Sequence, residues 1–398
     1  MAYVGILGHG TVGSGVVEVL MKNADSIQKR AGERIVVKRV LDLREFPELS
    51  YSGLFTKRFE DILEDPEIKV VAEMMGGLKP AYDFVSRAME AGKHVVTSNK
   101  ELVSTYGPEL TQTAQRMGVR FMFEASVGGG IPIIRPLSQC LSANRVSEIQ
   151  GILNGTTNYI LTRMGNEGLD YHTVLADAQK LGYAEKDPTN DVEGFDSTRK
   201  IAILASIAFQ KFIDYRQIDT EGITKIQMED IEGAKAFGMN IKLIGSARMD
   251  ESGEITARVS PCLVPHSYPL SGIFDVFNGV LVKGDAVGDV MFYGRGAGKL
   301  PTASAVVADI IDIVKKSDFK APILPVETQD IVPDTEAASF FVRSAKPVEE
   351  VTAALGECDT AEFEGWTAYI TQPMTEKALL QKGEGLALSM PIRVITEE

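Results

Sequence analysis

Residues 2–20, AYVGILGHGTVGSGVVEVL, set three glycines between a short apolar run and an amphipathic segment. GHGTVG fits G-x-G-x-x-G, with Gly8, Gly10 and Gly13 at the fixed positions. The run before it predicts a buried strand over 3–7 and the segment after it a helix over 11–22. In that setting the spacing is a dinucleotide-binding fingerprint. Gly8 allows the tight turn, Gly10 lets a pyrophosphate approach the backbone, and Gly13 lets the helix pack close to the sheet. The free N–H groups at the helix start then face the phosphates.

The alternation continues downstream. IVVKRVLD (35–42) reads as a second strand, 68–74 and 94–97 as further strands around a helix at 80–91, and VRFMF (119–123) as another strand. Strands alternating with helices imply a parallel sheet with crossover connections. Residues 1–130 thus predict one doubly wound α/β domain. ASVGGGIPIIRP (125–136) breaks the pattern with glycine and proline and marks a domain edge. The next block, 131–320, mixes strands (146–153) with helices (157–164, 195–210), as an α+β domain does. PTASAVVADIIDIVK (301–315) is an amphipathic helix whose small-residue start suits packing back on the first domain. A proline-rich stretch at 321–333 reads as a linker. Residues 334–398 read as a small α+β tail, with a strand in AASFFVRSA, a helix at 347–356 and further strands.

A length of 398 residues suits two or three domains. The formal net charge of −14 argues against general nucleic-acid binding. Cys140, Cys262 and Cys358 are far apart and form no CxxC, so neither a disulfide framework nor a zinc site is expected. That usage fits a reducing cytoplasm. The N-terminal stretch lacks the basic region of a signal peptide. No uninterrupted apolar run approaches the ~18 residues of a membrane span.

Three groups of residues carry chemistry. Asp42, at the end of the second strand, stands where an acid accepts from the ribose 2′-OH of NAD. Arg44, two residues on, suits a 2′-phosphate instead, so NAD and NADP both stay open. Lys100 follows the strand HVVTSN, at the carboxyl end where open α/β sheets bind ligands. LGYAEKDPTNDVEGFDSTRK (181–200) gathers Glu185, Asp187, Asp191, Glu193 and Asp196 ahead of Arg199 and Lys200. Asp196 and Lys200 are four apart and share a helix face. A lysine oriented in this way can act as general acid to a carbonyl oxygen, and the other carboxylates can bind a substrate ammonium group. A solvated charged loop is the bland reading of the same segment. The apolar stripe at 201–209 reads as core, as does Trp366, and His9, inside the glycine turn, reads as facing solvent in preference to touching the cofactor.

GILGHGTVGSGVV, VVTSNKELV, FEASVGGGIPIIRPL, GILNGTTNYIL, LGYAEKDPTNDVEGFDSTRKIAILASIAF and FYGRGAGKLPTASAVVADI occur in an order and spacing that resemble the homoserine dehydrogenase family over roughly residues 2–315. The resemblance implies reversible reduction of L-aspartate 4-semialdehyde to L-homoserine with NADPH or NADH, on the way to threonine and methionine. It implies a Rossmann domain, a catalytic domain that also dimerises, and an ACT-like tail. By position, it assigns Lys200 as the general acid/base and Lys100 as a second essential lysine by cofactor and substrate. Glu185, Asp191 and Asp196 line the amino-acid site, with Glu185 on the ammonium group. Gly182 and Gly296 lie by the cofactor, and Thr11, Val12 and Gly13 lie by the pyrophosphate. A monovalent metal, usually sodium, is implied on Glu124 and the backbone carbonyls of Val127, Gly129 and Ile131. A homodimer or higher homo-oligomer is also implied.

Two stretches depart from the family pattern: LDLRE replaces the usual Arg-Asp pair after the second strand, and SAKPVEEV lacks the glycine of the usual ACT turn. An aspartate-semialdehyde dehydrogenase would need a cysteine nucleophile, and none of the three cysteines sits in a Gly/Asn-flanked turn. A different amino-acid or imine reductase would show in substrate profiling. A dinucleotide sensor would leave Lys100, Lys200 and the acidic segment without a purpose.

Overall fold

Val4–Leu7 are buried at the end of the strand Ala2–Leu7 (β1), so this run lies inside a sheet covered on both faces. The computed structural model describes residues 1–315 and 321–396. The end of the expected catalytic segment, 316–320, and the last two tail residues lie outside the described residues. β1 is joined by Ile35–Leu41 (β2), Phe55–Thr56 (β3), Ile68–Glu73 (β4), His94–Thr97 (β5) and Phe121–Met122 (β6). Their order is β3-β2-β1-β4-β5-β6, and every pair is parallel. This is the doubly wound order of dinucleotide-binding folds.

The strand expected over 119–123 is shorter than that. The Val119 N–H instead closes the preceding helix on Ala114 O, and Ser126 N–H turns back to Phe123 O. The Glu124 N–H goes to the Asp309 carboxylate rather than to a ladder. Only Phe121 and Met122 remain to pair with β5.

Two compact units divide the chain. The first gathers Met1–Ser147, Ala202–Gln217 and Lys283–Asp330. Within it the helix Lys299–Val314 packs on the helix Thr11–Lys22, as its small-residue start suggests. A Cβ on Gly15 would stand 2.6 Å from Lys299 O and 3.1 Å from Ala303 Cβ, so the helices meet nearly backbone to backbone. Val306 and Ile310 then join Val4, Ile6 and Val16 in one buried core.

The second unit comprises Glu148–Ile201, Ile218–Val282 and Ile331–Glu398. Among the described residues the remaining strands are Val146–Ile152 (β7), Asp219–Thr220 (β8), Met239–Met249 (β9), Ile255–Pro265 (β10), Phe277–Gly284 (β11), Gly288–Arg295 (β12), Phe340–Ser344 (β13), Cys358–Phe363 (β14), Trp366–Thr371 (β15) and Ile392–Val394 (β16). The mixed sheet of the second unit runs β11-β7-β9-β10-β16-β13-β15-β14, with β8 on β10. β9 and β10 form a long antiparallel hairpin, from Met249 opposite Ile255 to Met239 opposite Pro265.

The tail, with helices Val348–Leu355 and Glu376–Lys382 between its strands, has the β-α-β-β-α-β connectivity of ferredoxin-like units. Its last strand, β16, pairs in parallel with β10, and this joins the tail strands to the rest of the second unit's sheet. One tail face packs on its own helices through Phe340, Val342 and Tyr369. The other meets the helix Met228–Ala236: a Cβ on Gly233 would lie 2.7 Å from Phe341, and Arg343 pairs with Asp230. Trp366 is not core, as its sequence setting suggested. It opens β15 just after the turn at Gly365 and stays half-exposed, stacked on Phe363 at 4.0 Å. The apolar stripe at 201–209 is core: Ile203, Leu204 and Ile207 are all buried.

Candidate active site

In the first unit the glycine turn leaves β1 and enters the helix Thr11–Lys22. Gly8 has φ +91°, a conformation that a side chain disfavours, and a Cβ on Gly13 would sit 1.9 Å from Gly8 O. Gly13 is therefore needed by the turn itself. Around Gly10 no protein atom beyond its own chain neighbours lies within 4 Å of the position a Cβ would take, so that side of the loop is open. A cleft of about 480 Å³ opens there, lined by Gly8, Gly10, Asp42, Arg44, Met74 and Met75 among others. It lies beyond the carboxyl ends of β1, β2 and β4, where this fold class holds dinucleotides.

Asp42 and Arg44 come together at the rim of the cleft. Asp42 accepts the His9 N–H at 2.8 Å and the Arg44 N–H at 2.9 Å, and the Arg44 guanidinium closes on both of its oxygens. The hydrogen-bonded guanidinium holds the Asp42 carboxyl well below the usual carboxylate range. The same guanidinium reaches His9 O at 3.1 Å. His9 does not face solvent. It is 6 % exposed, bonds the Tyr51 hydroxyl at 3.0 Å through Nε2, and meets the rings of Phe46, Tyr51 and Phe55 edge-on. Those aromatic residues lie some forty positions away in sequence, so the turn alone gave no sign of them. Burial pushes the His9 imidazole below its ordinary value.

Lys100 is the first residue of the helix Lys100–Met117, which Asn99 caps by accepting the Leu102 N–H at 3.1 Å. In the same unit Glu124 is buried, and its carboxylate takes three successive N–H groups, from Ile133, Ile134 and Arg135, at 2.7–2.9 Å. Burial pushes this carboxyl up, against the pull of those donors. Gly129, at φ +54°, presses on Gly296: a Cβ would lie 2.3 Å from Gly296 O. Among the described residues, the carbonyls of Val127, Gly129 and Ile131 accept no hydrogen bond. Carbonyls without hydrogen bonds, on the loop that follows a buried carboxylate in sequence, are hard oxygen donors with a single negative charge. That donor set fits a monovalent cation. No cluster of three or more His, Cys, Asp or Glu suited to a metal occurs among the described residues.

In the second unit the acidic segment folds around Lys200. The ammonium group is buried and donates to Asp196 Oδ2 at 2.7 Å and to Leu153 O at 2.8 Å. The i,i+4 spacing on one helix places the pair as the sequence suggested. Asn154 completes the group: its Nδ2 donates to Asp191 Oδ1 at 2.7 Å and to Asp196 Oδ2 at 2.9 Å. Its Oδ1 caps the helix Gly155–Glu167 by accepting the Thr157 N–H at 2.9 Å. Sequence reasoning missed Asn154, because an Asn before GTTNYIL looks like any helix cap. Glu185 lies on the exposed turn after the helix Tyr171–Lys180, with its backbone carbonyl held by Gln179. Gly182, at φ +77°, belongs to that turn. Among the described residues, no hydrogen bond joins the Glu185 carboxylate to the Lys200 group.

A family model described as homoserine dehydrogenase matches residues 132–311, and one described as the NAD-binding domain of homoserine dehydrogenase matches residues 8–124. The homoserine dehydrogenase of Bacillus subtilis is 45 % identical over 78 % of this chain and 72 % of its own. That of Neisseria gonorrhoeae is 40 % identical over 96 % and 88 %. The crystal structure of a homoserine dehydrogenase from Thiobacillus denitrificans is 39 % identical, covers 99 % of this chain and 98 % of its own, and superposes with a TM-score of 0.90.

Proposed function

The chain belongs to the homoserine dehydrogenase family, and from that premise we propose how its residues share the work. It is an NAD(P)-dependent oxidoreductase that interconverts L-homoserine and L-aspartate 4-semialdehyde. The nicotinamide supplies the hydride, and the protein supplies orientation and charge. Lys200 is the general acid/base. As the aldehyde carbon gains hydride its oxygen gains charge, and a lysine proton meets it there. The supporting observation is the Lys200 ammonium: two of its three protons go to Asp196 and Leu153 O, which leaves one aimed elsewhere. Lys100 is the second essential lysine, at the cofactor and substrate. Asp191 and Asp196 hold the amino-acid substrate, and Glu185 takes its ammonium group. Gly8, Gly10, Thr11, Val12 and Gly13 hold the pyrophosphate, while Gly182 and Gly296 flank the cofactor. Asp42 takes the adenosine ribose of NAD, or Arg44 the 2′-phosphate of NADP.

Residues 1–130 form the cofactor domain, 131–320 the catalytic and dimerisation domain, and 334–398 an ACT-like tail, a reading that the tail's connectivity favours. A monovalent cation, sodium by the family resemblance, would be held by Glu124 and the carbonyls of Val127, Gly129 and Ile131. It would neutralise a buried carboxylate and stiffen that loop. The active form is a homodimer or a higher homo-oligomer. Val287, Met291 and Tyr293, exposed on or beside β12, are apolar groups that a second subunit would cover. No helix among the described residues is long and apolar enough to cross a membrane. Three unpaired cysteines suit the cytoplasm.

Absorbance of reduced nicotinamide, followed with L-homoserine and either NAD or NADP, tests the assignment. A rise is expected, and the faster cofactor decides between Asp42 and Arg44. Lys200→Ala should slow turnover by roughly a hundred- to ten-thousandfold, the range of general acid–base catalysis, with cofactor affinity unchanged. Near-normal turnover in that variant would remove Lys200 from the chemistry.

A further inference from the structure

Glu73 ends β4 and is 0 % exposed, yet no cation pairs with it among the described residues. An unpaired carboxylate is costly to bury, and burial pushes the Glu73 carboxyl above its ordinary value. An apolar residue would fill the space at less cost. What the carboxylate does there is make bonds. Oε2 accepts the Thr97 hydroxyl at 2.6 Å, and Oε1 accepts the Met75 N–H at 2.7 Å. Thr97 Oγ1 accepts in turn from the Asn99 N–H at 2.9 Å. Asn99 donates Nδ2 to Gly77 O at 2.6 Å and caps the helix that begins at Lys100. The bonds close a ring through two loops, the one after β4 and the one after β5. Both lie at the carboxyl ends of the strands, where the fold places its ligands. The first loop supplies Met74 and Met75 to the cleft wall, and the second leads directly into Lys100.

We propose that Glu73 is a positioning residue of the dehydrogenase reaction: its carboxylate locks the Met74–Gly77 loop to the Thr97–Asn99 loop and so fixes the backbone that presents Lys100. This rests on the reading that Lys100 takes part in turnover. Glutamine keeps only part of this arrangement: with its Oε1 on the Met75 N–H, its NH₂ group faces a Thr97 hydroxyl that already accepts the Asn99 N–H, and the Thr97 proton loses its carboxylate acceptor.

Steady-state kinetics of the full-length enzyme with L-homoserine tests this in Glu73→Gln, Thr97→Val, Lys100→Met and the double variant Glu73→Gln/Lys100→Met. Misplacing a reacting group slightly can cost up to about a hundredfold in rate, so Glu73→Gln should lower kcat between roughly ten- and a hundredfold. KM for L-homoserine should stay near wild type, because the substrate carboxylates belong to another segment. Thr97→Val breaks the same bond from its other end and should move kcat in the same direction, which keeps the test open if Glu73→Gln does not fold. In the Lys100→Met background, Glu73→Gln should cost nothing further, since residues acting as one unit are not additive. Wild-type kcat in Glu73→Gln and Thr97→Val, beside a slow Lys100→Met, would overturn the role of Glu73 and leave Lys100 standing. An equal loss from Glu73→Gln in both backgrounds would make Glu73 a merely structural residue. Wild-type kcat in Lys100→Met would overturn the reading of Lys100 and the proposal with it.

Discussion

Lys242 carries an ammonium group into the interior of the second unit. It is 1 % exposed, bonds Asn158 Oδ1 at 3.2 Å and Ile273 O, and stands 4.5 Å over the Phe274 ring. Desolvation lowers its pKa from 10.5 to about 8. Between those two values the unfolded chain binds more protons than the folded one, so stability rises with pH across that window and levels off above it. Lys242→Met should lack the rise. Urea midpoints at pH 8 and pH 10.5, wild type against variant, measure it. At this scale the sequence was legible where partners are close in the chain. Asp196 and Lys200 were paired by spacing alone. His9 was not legible, since its ring is buried by Phe46, Tyr51 and Phe55 from a loop that no periodicity joins to the glycine turn. Glu73 was hidden for a related reason: its partner Thr97 sits on a neighbouring strand, and strand register is invisible in a single chain.

The contact between the helices Thr11–Lys22 and Lys299–Val314 is governed by Gly15. A methyl group there would meet Lys299 O at 2.6 Å, so the helices must separate or bend to admit it. Gly15→Ala is expected to destabilise the first unit by about 1–3 kcal/mol, the usual cost of overpacking, as read from a urea-melt midpoint. The helix itself, and its return to the first domain, were legible because PTASAVVADIIDIVK combines a strong apolar stripe with small residues at its start. The β6 strand was over-read because VRFMF has strand composition, while hydrogen bonds to Ala114 O and Asp309 claim the N–H groups at its two ends. The β9–β10 hairpin went unread. Its turn, DESGE, separates two runs that alternate only in part, because both faces of β9 and β10 are largely buried.

Over the whole chain, the linear order of expected domains and the compact units differ in kind. The first unit takes three separate segments and the second takes three others. The sequence revealed the α/β class and the tail's α+β character, because local periodicity carries both. It did not reveal that β16 would pair with β10, since parallel pairing across well over a hundred residues leaves no local trace. Ending the chain before residue 338 would uncover the backbone of Cys262 and Leu263 and the Gly233 face of the helix Met228–Ala236. Such a chain should melt at lower temperature and elute as aggregates on size exclusion, since an open sheet edge templates association. The same pairing bears on how the protein is made. β16 follows β10 by well over a hundred residues, so it leaves the ribosome long after its partner. Until then β10 waits with an unfilled edge, and the sheet of the second unit is complete only once the tail has been made. A nascent chain stalled in the tail is therefore an unfinished enzyme rather than an active enzyme without its appendix.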